Sequence, residues 1–114
     1  MKTRREVIER AAEALGALAA GQPLATEDYT RIDGYVDTAA ADLRDRDIYD
    51  VPDTQEFADG IFDDFGVCLA NACRHAFGLS GNPELQAAAM AAEQKLLVKS
   101  AQRPTYKVLR GTYY

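Results

Sequence analysis

Apolar residues in this chain recur at three- and four-residue intervals over four separate stretches, most of them bounded by residues that start or stop an α-helix. That period puts side chains on one face of a helix, whereas a half-buried strand would alternate every second residue. The fold is therefore expected to be all-α. Thr3-Arg4-Arg5-Glu6 is a capping box, in which the Thr hydroxyl and the Glu carboxylate satisfy each other's orphan backbone amides. Val7, Ile8, Ala11, Ala12, Leu15, Leu18 and Ala19 follow at helical spacing, and Gly21 with Pro23 supplies a stop. The first helix is expected over about Thr3 to Ala20. Thr26 is expected to cap the second, with Tyr29, Ile32, Val36, Ala39 and Leu43 as one apolar stripe and acids opposite.

From Arg44 to Pro52 the pattern breaks. Asp47, Asp50 and Pro52 disfavour helix while Ile48, Tyr49 and Val51 still offer side chains to bury, so the segment reads as an extended crossing. Asp53-Thr54-Gln55-Glu56 reads as the start of a third helix with Phe57, Ile61, Phe65, Leu69, Ala72, Ala76 and Phe77 on its core side, ended by Gly78. Asn82 and Pro83 open a fourth, where Leu85, Ala89, Ala92, Leu96 and Leu97 keep helical spacing and Ala87, Ala88 and Ala91 raise helix propensity. Nothing reads as a paired sheet. With 114 residues the chain makes one domain with a modest core, and the short loops after Gly21 and Gly78 favour antiparallel neighbours. The expectation is a small antiparallel bundle of about four helices over residues 1–102, followed by an extended C-terminal arm over 103–114.

Charge divides the chain. The net charge is -5, and residues 26–64 hold thirteen Asp and Glu against Arg31, Arg44 and Arg46. From Lys95 onward the cations Lys95, Lys99, Arg103, Lys107 and Arg110 meet no acid at all. An acidic body with a basic end favours head-to-tail self-association or docking on an acidic neighbour. It disfavours sequence-specific DNA binding, which needs a basic face with several phosphate contacts. The arm carries Val108 and Leu109 with Tyr106, Tyr113 and Tyr114, too apolar and aromatic for an entropic spacer and suited to lying on a partner's edge or groove.

Chemistry is sparse. Cys68 and Cys73, five apart on one helix, point in well-separated directions and read as small buried apolar residues rather than a disulfide. His75 is the sole histidine, too little for a metal site or an acid–base pair, and near a helix C-terminus it reads as a dipole-stabilised cation. Asp59 and Asp63 share a helix face at i and i+4, a spacing that reads first as an ordinary solvated face. Gly78-Leu79-Ser80-Gly81 lacks the strand and the Lys of a phosphate loop. The expectation is no catalysis, no metal and no cofactor, in a protein that neither spans nor anchors to a membrane.

The order of these signals resembles the small helical head-to-tail adaptor proteins of short-tailed phages and prophages, also called tail accessory or head-completion factors. The likeness is carried by the capped helix Thr3 to Gly16, the helix Asp33 to Leu43 running into Ile48-Tyr49-Asp50-Val51-Pro52, and Phe57-Ala58-Asp59-Gly60 through Leu69 to Gly78. An Ala-rich helix with Ala92-Glu93-Gln94-Lys95-Leu96-Leu97 and the closing Arg103-Pro104-Thr105-Tyr106 complete it. The resemblance implies a helical subunit, made in the host cytoplasm, that joins a dodecameric ring below the portal at the head–tail junction of the virion. On it later tail proteins attach, and DNA only passes through its lumen. It also implies a portal-binding arm made by Arg103, Tyr106, Lys107, Val108, Leu109, Arg110, Tyr113 and Tyr114. The aspartate-rich middle then either lines the lumen or is an ordinary solvated face. For the contact between subunits, the charge pattern places Lys95 and Lys99 of helix four against the acids of a neighbour's second and third helices, Asp59 and Asp63 among them. The alternative is a helical regulatory or antitoxin-like module whose arm wraps one protein partner.

Overall fold

The computed structural model describes residues 1–16, 24–78 and 83–101. Four α-helices dominate it: α1 over Arg4–Leu15, α2 over Thr26–Asp45, α3 over Asp59–Cys73 and α4 over Pro83–Ala101. The all-α expectation stands, and α3 is the axis of the fold because it packs against each of the other three helices. Residues 102–114, which include the expected arm, lie outside the described residues, as do Leu18, Ala19, Gly21, Pro23 and Asn82.

α1 begins as its capping box dictates. The Thr3 hydroxyl accepts from the Glu6 amide while the Glu6 carboxylate accepts from the Thr3 amide at 3.0 Å. Those hydrogen bonds lower the pKa of Glu6, with the bond to the Thr3 backbone as the main cause. The helix ends earlier than expected, at Leu15, because Gly16 takes a left-handed conformation with φ of 78° and its amide closes back on Ala12 and Glu13. α2 likewise corrects a capping expectation: Ala25 stands at the cap and Thr26 is already helical. The hydroxyl of Thr30, not Thr26, then bonds back into that first turn at Thr26 O.

The exit from α2 explains the break read after Arg44. Asp47 adopts φ of 58°, its amide returns to Arg44 O and the amide of Ile48 to Leu43 O, which together form a Schellman motif with Asp in the place usually given to Gly. Ile48 and Val51 pack half-buried against the core, and Tyr49 is buried. The crossing then departs from expectation. Asp53 does not cap a helix; its carboxylate accepts from the Gln55 amide, and Glu56–Phe57 forms a short strand, β2, antiparallel to β1 at Lys2–Thr3. α3 starts at Asp59 with Ala58 as its cap, five residues beyond the expected cap, since pairing with the N-terminus holds Glu56 and Phe57 extended. The reading that nothing pairs as a sheet is corrected by this two-residue ribbon. Its role is local: it delivers Phe57 into the core, where the ring stacks on Phe65 with centroids 4.9 Å apart.

The core is one cluster. Val7, Ile8 and Ala11 of α1, Ile32, Val36 and Leu43 of α2, Ile61, Phe65 and Leu69 of α3, and Leu85 and Leu96 of α4 are all buried in it. Each large apolar side chain so buried contributes about 1.5–3 kcal/mol against the chain entropy lost on folding. Gly66 lets α1 and α3 approach closely, because a Cβ there would lie 2.8 Å from Cγ of Arg10. On the other flank Cys68 of α3 meets the Ala89 carbonyl of α4. Both cysteines are free and buried, and burial pushes each thiol up to about 12. After Cys73 the chain tightens into a 3-10 turn over Arg74–Phe77 and stops at Gly78, as expected from sequence.

Candidate interaction surface

Ion pairs hold the helices at both ends. The Arg4 guanidinium, with only 15% of its side chain exposed, donates from Nε to Asp33 Oδ1 at 2.7 Å and from Nη1 to Asp37 Oδ1 at 3.3 Å. It also reaches the backbone carbonyls of Asp33 and Thr54, so one side chain ties the start of α1 to α2 and to the crossing. Burial alone would lower its pKa, but the bonds to both carboxylates outweigh that and raise it. At the opposite end Arg46 forks onto Glu93, at 2.6 and 3.4 Å, and onto Asp42 at 3.0 Å, joining the exit of α2 to the middle of α4.

The residues expected at a subunit contact lie in this bracing. Asp63 accepts from Arg10 of α1, and Asp59 faces the N-terminal ammonium of Met1 at 3.1 Å. Lys99 donates to the Gly60 carbonyl and lies 3.4 Å from Asp64. Asp64, with 8% exposure, is the one buried charged residue among those described, and no residue near it in the chain signals its burial, since its partner is thirty-five positions away. Lys95 differs: it is exposed on α4 and has no ion pair among the described residues. Arg103, Tyr106, Lys107, Val108, Leu109, Arg110, Tyr113 and Tyr114 lie outside the described residues.

Much of the acidic middle is consumed internally. Asp33, Asp37, Asp42, Asp45, Asp59, Asp63 and Asp64 all have cationic partners within the chain. Glu27 and Asp28 at the start of α2, and Asp47 and Asp50 beyond its end, have no ion pair among the described residues. His75 is exposed in the 3-10 turn. A groove of about 280 Å³ between α2 and α3 is lined by Tyr35, Asp42, Arg46, Asn71, Arg74 and Glu93, whose cations are already bonded to neighbours in the wall.

The surface that stands out is the outward side of α4. Its inner side buries Leu85, Ala89, Ala92 and Leu96, yet the outer side is apolar as well: Met90 is 67% exposed, Val98 51% and Leu97 40%. Ala87, Ala91, Gln94 and Ala101 are exposed beside them, so no charge falls on the strip they form. A helix apolar on both sides is expected where both sides are covered. Sequence spacing groups Leu97 with Leu85, Ala89, Ala92 and Leu96, whereas in the structure Leu97 lies on the outer strip.

No known family model, curated protein or solved structure matches this chain. Among the described residues no cluster of His, Cys, Asp and Glu is placed to hold a metal ion, and no helix is long and apolar enough to cross a membrane. The surface chemistry itself therefore carries the functional argument.

Proposed function

We propose that this chain is a structural subunit of a head-to-tail adaptor, assembling as a ring below a phage portal and offering a platform for tail proteins. The observation that carries the reading is the outer side of α4, an uncharged apolar strip bordered by Lys95, a cation with no ion pair among the described residues. A small helical body that leaves such a strip open is built for burial against other protein rather than for chemistry on a small substrate. The basic, tyrosine-bearing sequence from Arg103 to Tyr114 adds a second contact element of different character, suited to an acidic or grooved partner. In a ring larger than two subunits one patch meets a different patch of the neighbour. Lys95 with the α4 strip, and Glu27 with Asp28 in the first turn of α2, are two such patches of opposite charge.

The test is co-sedimentation with the portal ring encoded in the same genome, comparing the full chain with one ended after Gln102. Saturable binding by the full chain alone supports the adaptor and its arm together. Binding by both forms keeps the adaptor and places the contact on the helical body. Absence of binding by either, at low salt and high concentration, overturns the adaptor reading in favour of a regulatory module with one protein partner.

A further inference from the structure

We infer that the cleft between the exit of α2 and the end of α4 is the docking place of this chain's own Arg103, which pins the root of the C-terminal arm to the body. The cleft, of about 250 Å³, is lined by Arg44, Asp47, Tyr49, Asp50 and Ser100. The exit turn fixes its shape: Asp47 at φ of 58° closes α2, and the buried Tyr49 anchors the following segment in the core. Asp47 and Asp50 are exposed and have no ion pair among the described residues. The cation of the lining, Arg44, lies 3.9 Å from Asp45 instead. Over the described residues the lining is therefore one positive charge short of neutral.

Position and charge name the occupant. Ser100 lines the cleft one residue before α4 ends at Ala101, so the chain leaves the helix at the edge of the cleft. Gln102-Arg103-Pro104 follows, opening a segment with three cations and no acid through Tyr114. Pro104 disfavours helical backbone at Arg103, which turns the chain off the line of α4. The three residues after Ser100 span up to about 10 Å, and the guanidinium side chain extends that reach, so Arg103 meets Asp47 and Asp50 with no long loop to close. A planar fork of donors also suits two neighbouring carboxylates better than an ammonium does. Tethering sets the strength. An exposed pair of this kind is weak between separate molecules, yet a linker this short holds the groups at an effective concentration of about millimolar or more. Pinning Arg103 fixes the point from which Val108, Leu109, Tyr113 and Tyr114 leave the body, and so lowers the ordering cost when the arm meets a partner. The inference stands apart from the adaptor reading, because it concerns the chain alone and needs no portal.

Backbone proton–nitrogen NOE measurements on the full chain, at low and high protein concentration, test it, with circular dichroism as the control for folding. The expected result at low salt is values at Arg103, Thr105 and Tyr106 close to those of α4, falling away from Val108 to the chain end. High salt is expected to lower the values at Arg103, Thr105 and Tyr106. Asp47→Asn combined with Asp50→Asn is expected to release the same three residues with unchanged helix content, since Asn also accepts the left-handed conformation that Asp47 occupies. Arg103→Asp is expected to release the arm as well, and Arg103→Asp combined with Asp50→Arg to restore the order. Arm residues as mobile in the parent as in the Asn double variant overturn the inference. So does order unchanged by the Asn substitutions or by salt, or failure of the charge swap to restore it. Order that arises only as protein concentration rises overturns it too, because Arg103 then docks on a second copy.

Discussion

Two glycines on neighbouring helices show how much a single residue's surroundings decide. Gly34 lies exposed within α2 with no atom within 4 Å of the place a Cβ would take, so only backbone entropy distinguishes it from alanine. Gly66, buried in α3, has Cγ and Cβ of Arg10 at 2.8 and 3.2 Å from that place, and Cβ cannot swing aside without moving α1. Gly34→Ala is therefore expected to stabilise the fold by about 0.5–1 kcal/mol through propensity alone. Gly66→Ala gains the same propensity but overpacks the junction of α1 and α3, and is expected to destabilise by about 1–2 kcal/mol net. Chemical denaturation of the two variants against the parent checks both signs. Equal stabilisation by both would show that α1 yields freely at Arg10. Nothing in the residues around Gly66 announced its role, because Arg10 is brought to it only by the packing of α1.

At the level of elements, the N-terminal turn of α1 is held by one guanidinium as much as by its cap. Arg4 bonds to two carboxylates on α2 and to the Thr54 carbonyl of the crossing, and the amide of the same residue donates to Gln55 O at 3.1 Å beside the β1–β2 ribbon. Arg4→Ala is expected to cost about 1–3 kcal/mol, and Arg4→Lys to recover only part of it, since an ammonium cannot span the same fork of acceptors. Hydrogen exchange is the discriminating measurement: amides near Phe57 should lose protection in Arg4→Ala together with the start of α1. The elements that could be read from sequence are those fixed by neighbours three or four positions away. They include the Thr3–Glu6 box, Pro83 at the first turn of α4 and the Gly78 stop. The ribbon escaped because two residues per strand show no alternation, and Asp53 imitated a helix cap while serving a turn. The early end of α1 escaped because Leu18 and Ala19 continue its period past Gly16, whose left-handed conformation is a backbone choice that periodicity does not report.

For the molecule as a whole, the question is how its charges divide between holding the bundle together and meeting other chains. Lys95 and Lys99 look equivalent in sequence, one helical turn apart in an acid-free segment. The structure separates them. Lys99 is committed to Gly60 and to the buried Asp64 of α3, while Lys95 faces outward at the border of the apolar strip with no ion pair among the described residues. Reversing charge at Lys99 puts a carboxylate against Asp64 in a partly buried place, and is expected to destabilise by about 1–2 kcal/mol, lowering Tm by several degrees. Lys95→Glu is expected to leave stability within about 0.5 kcal/mol, because Lys95 is exposed and has no ion pair among the described residues to lose. If the chain joins a ring through this face, Lys95→Glu should weaken assembly most at low ionic strength and little at high salt, where screening already removes its contribution. Thermal melts and assembly measured across a salt series read the two effects separately. A ring whose formation is indifferent to Lys95→Glu at every salt concentration would rule out an electrostatic role for this border and leave the uncharged strip to carry the contact.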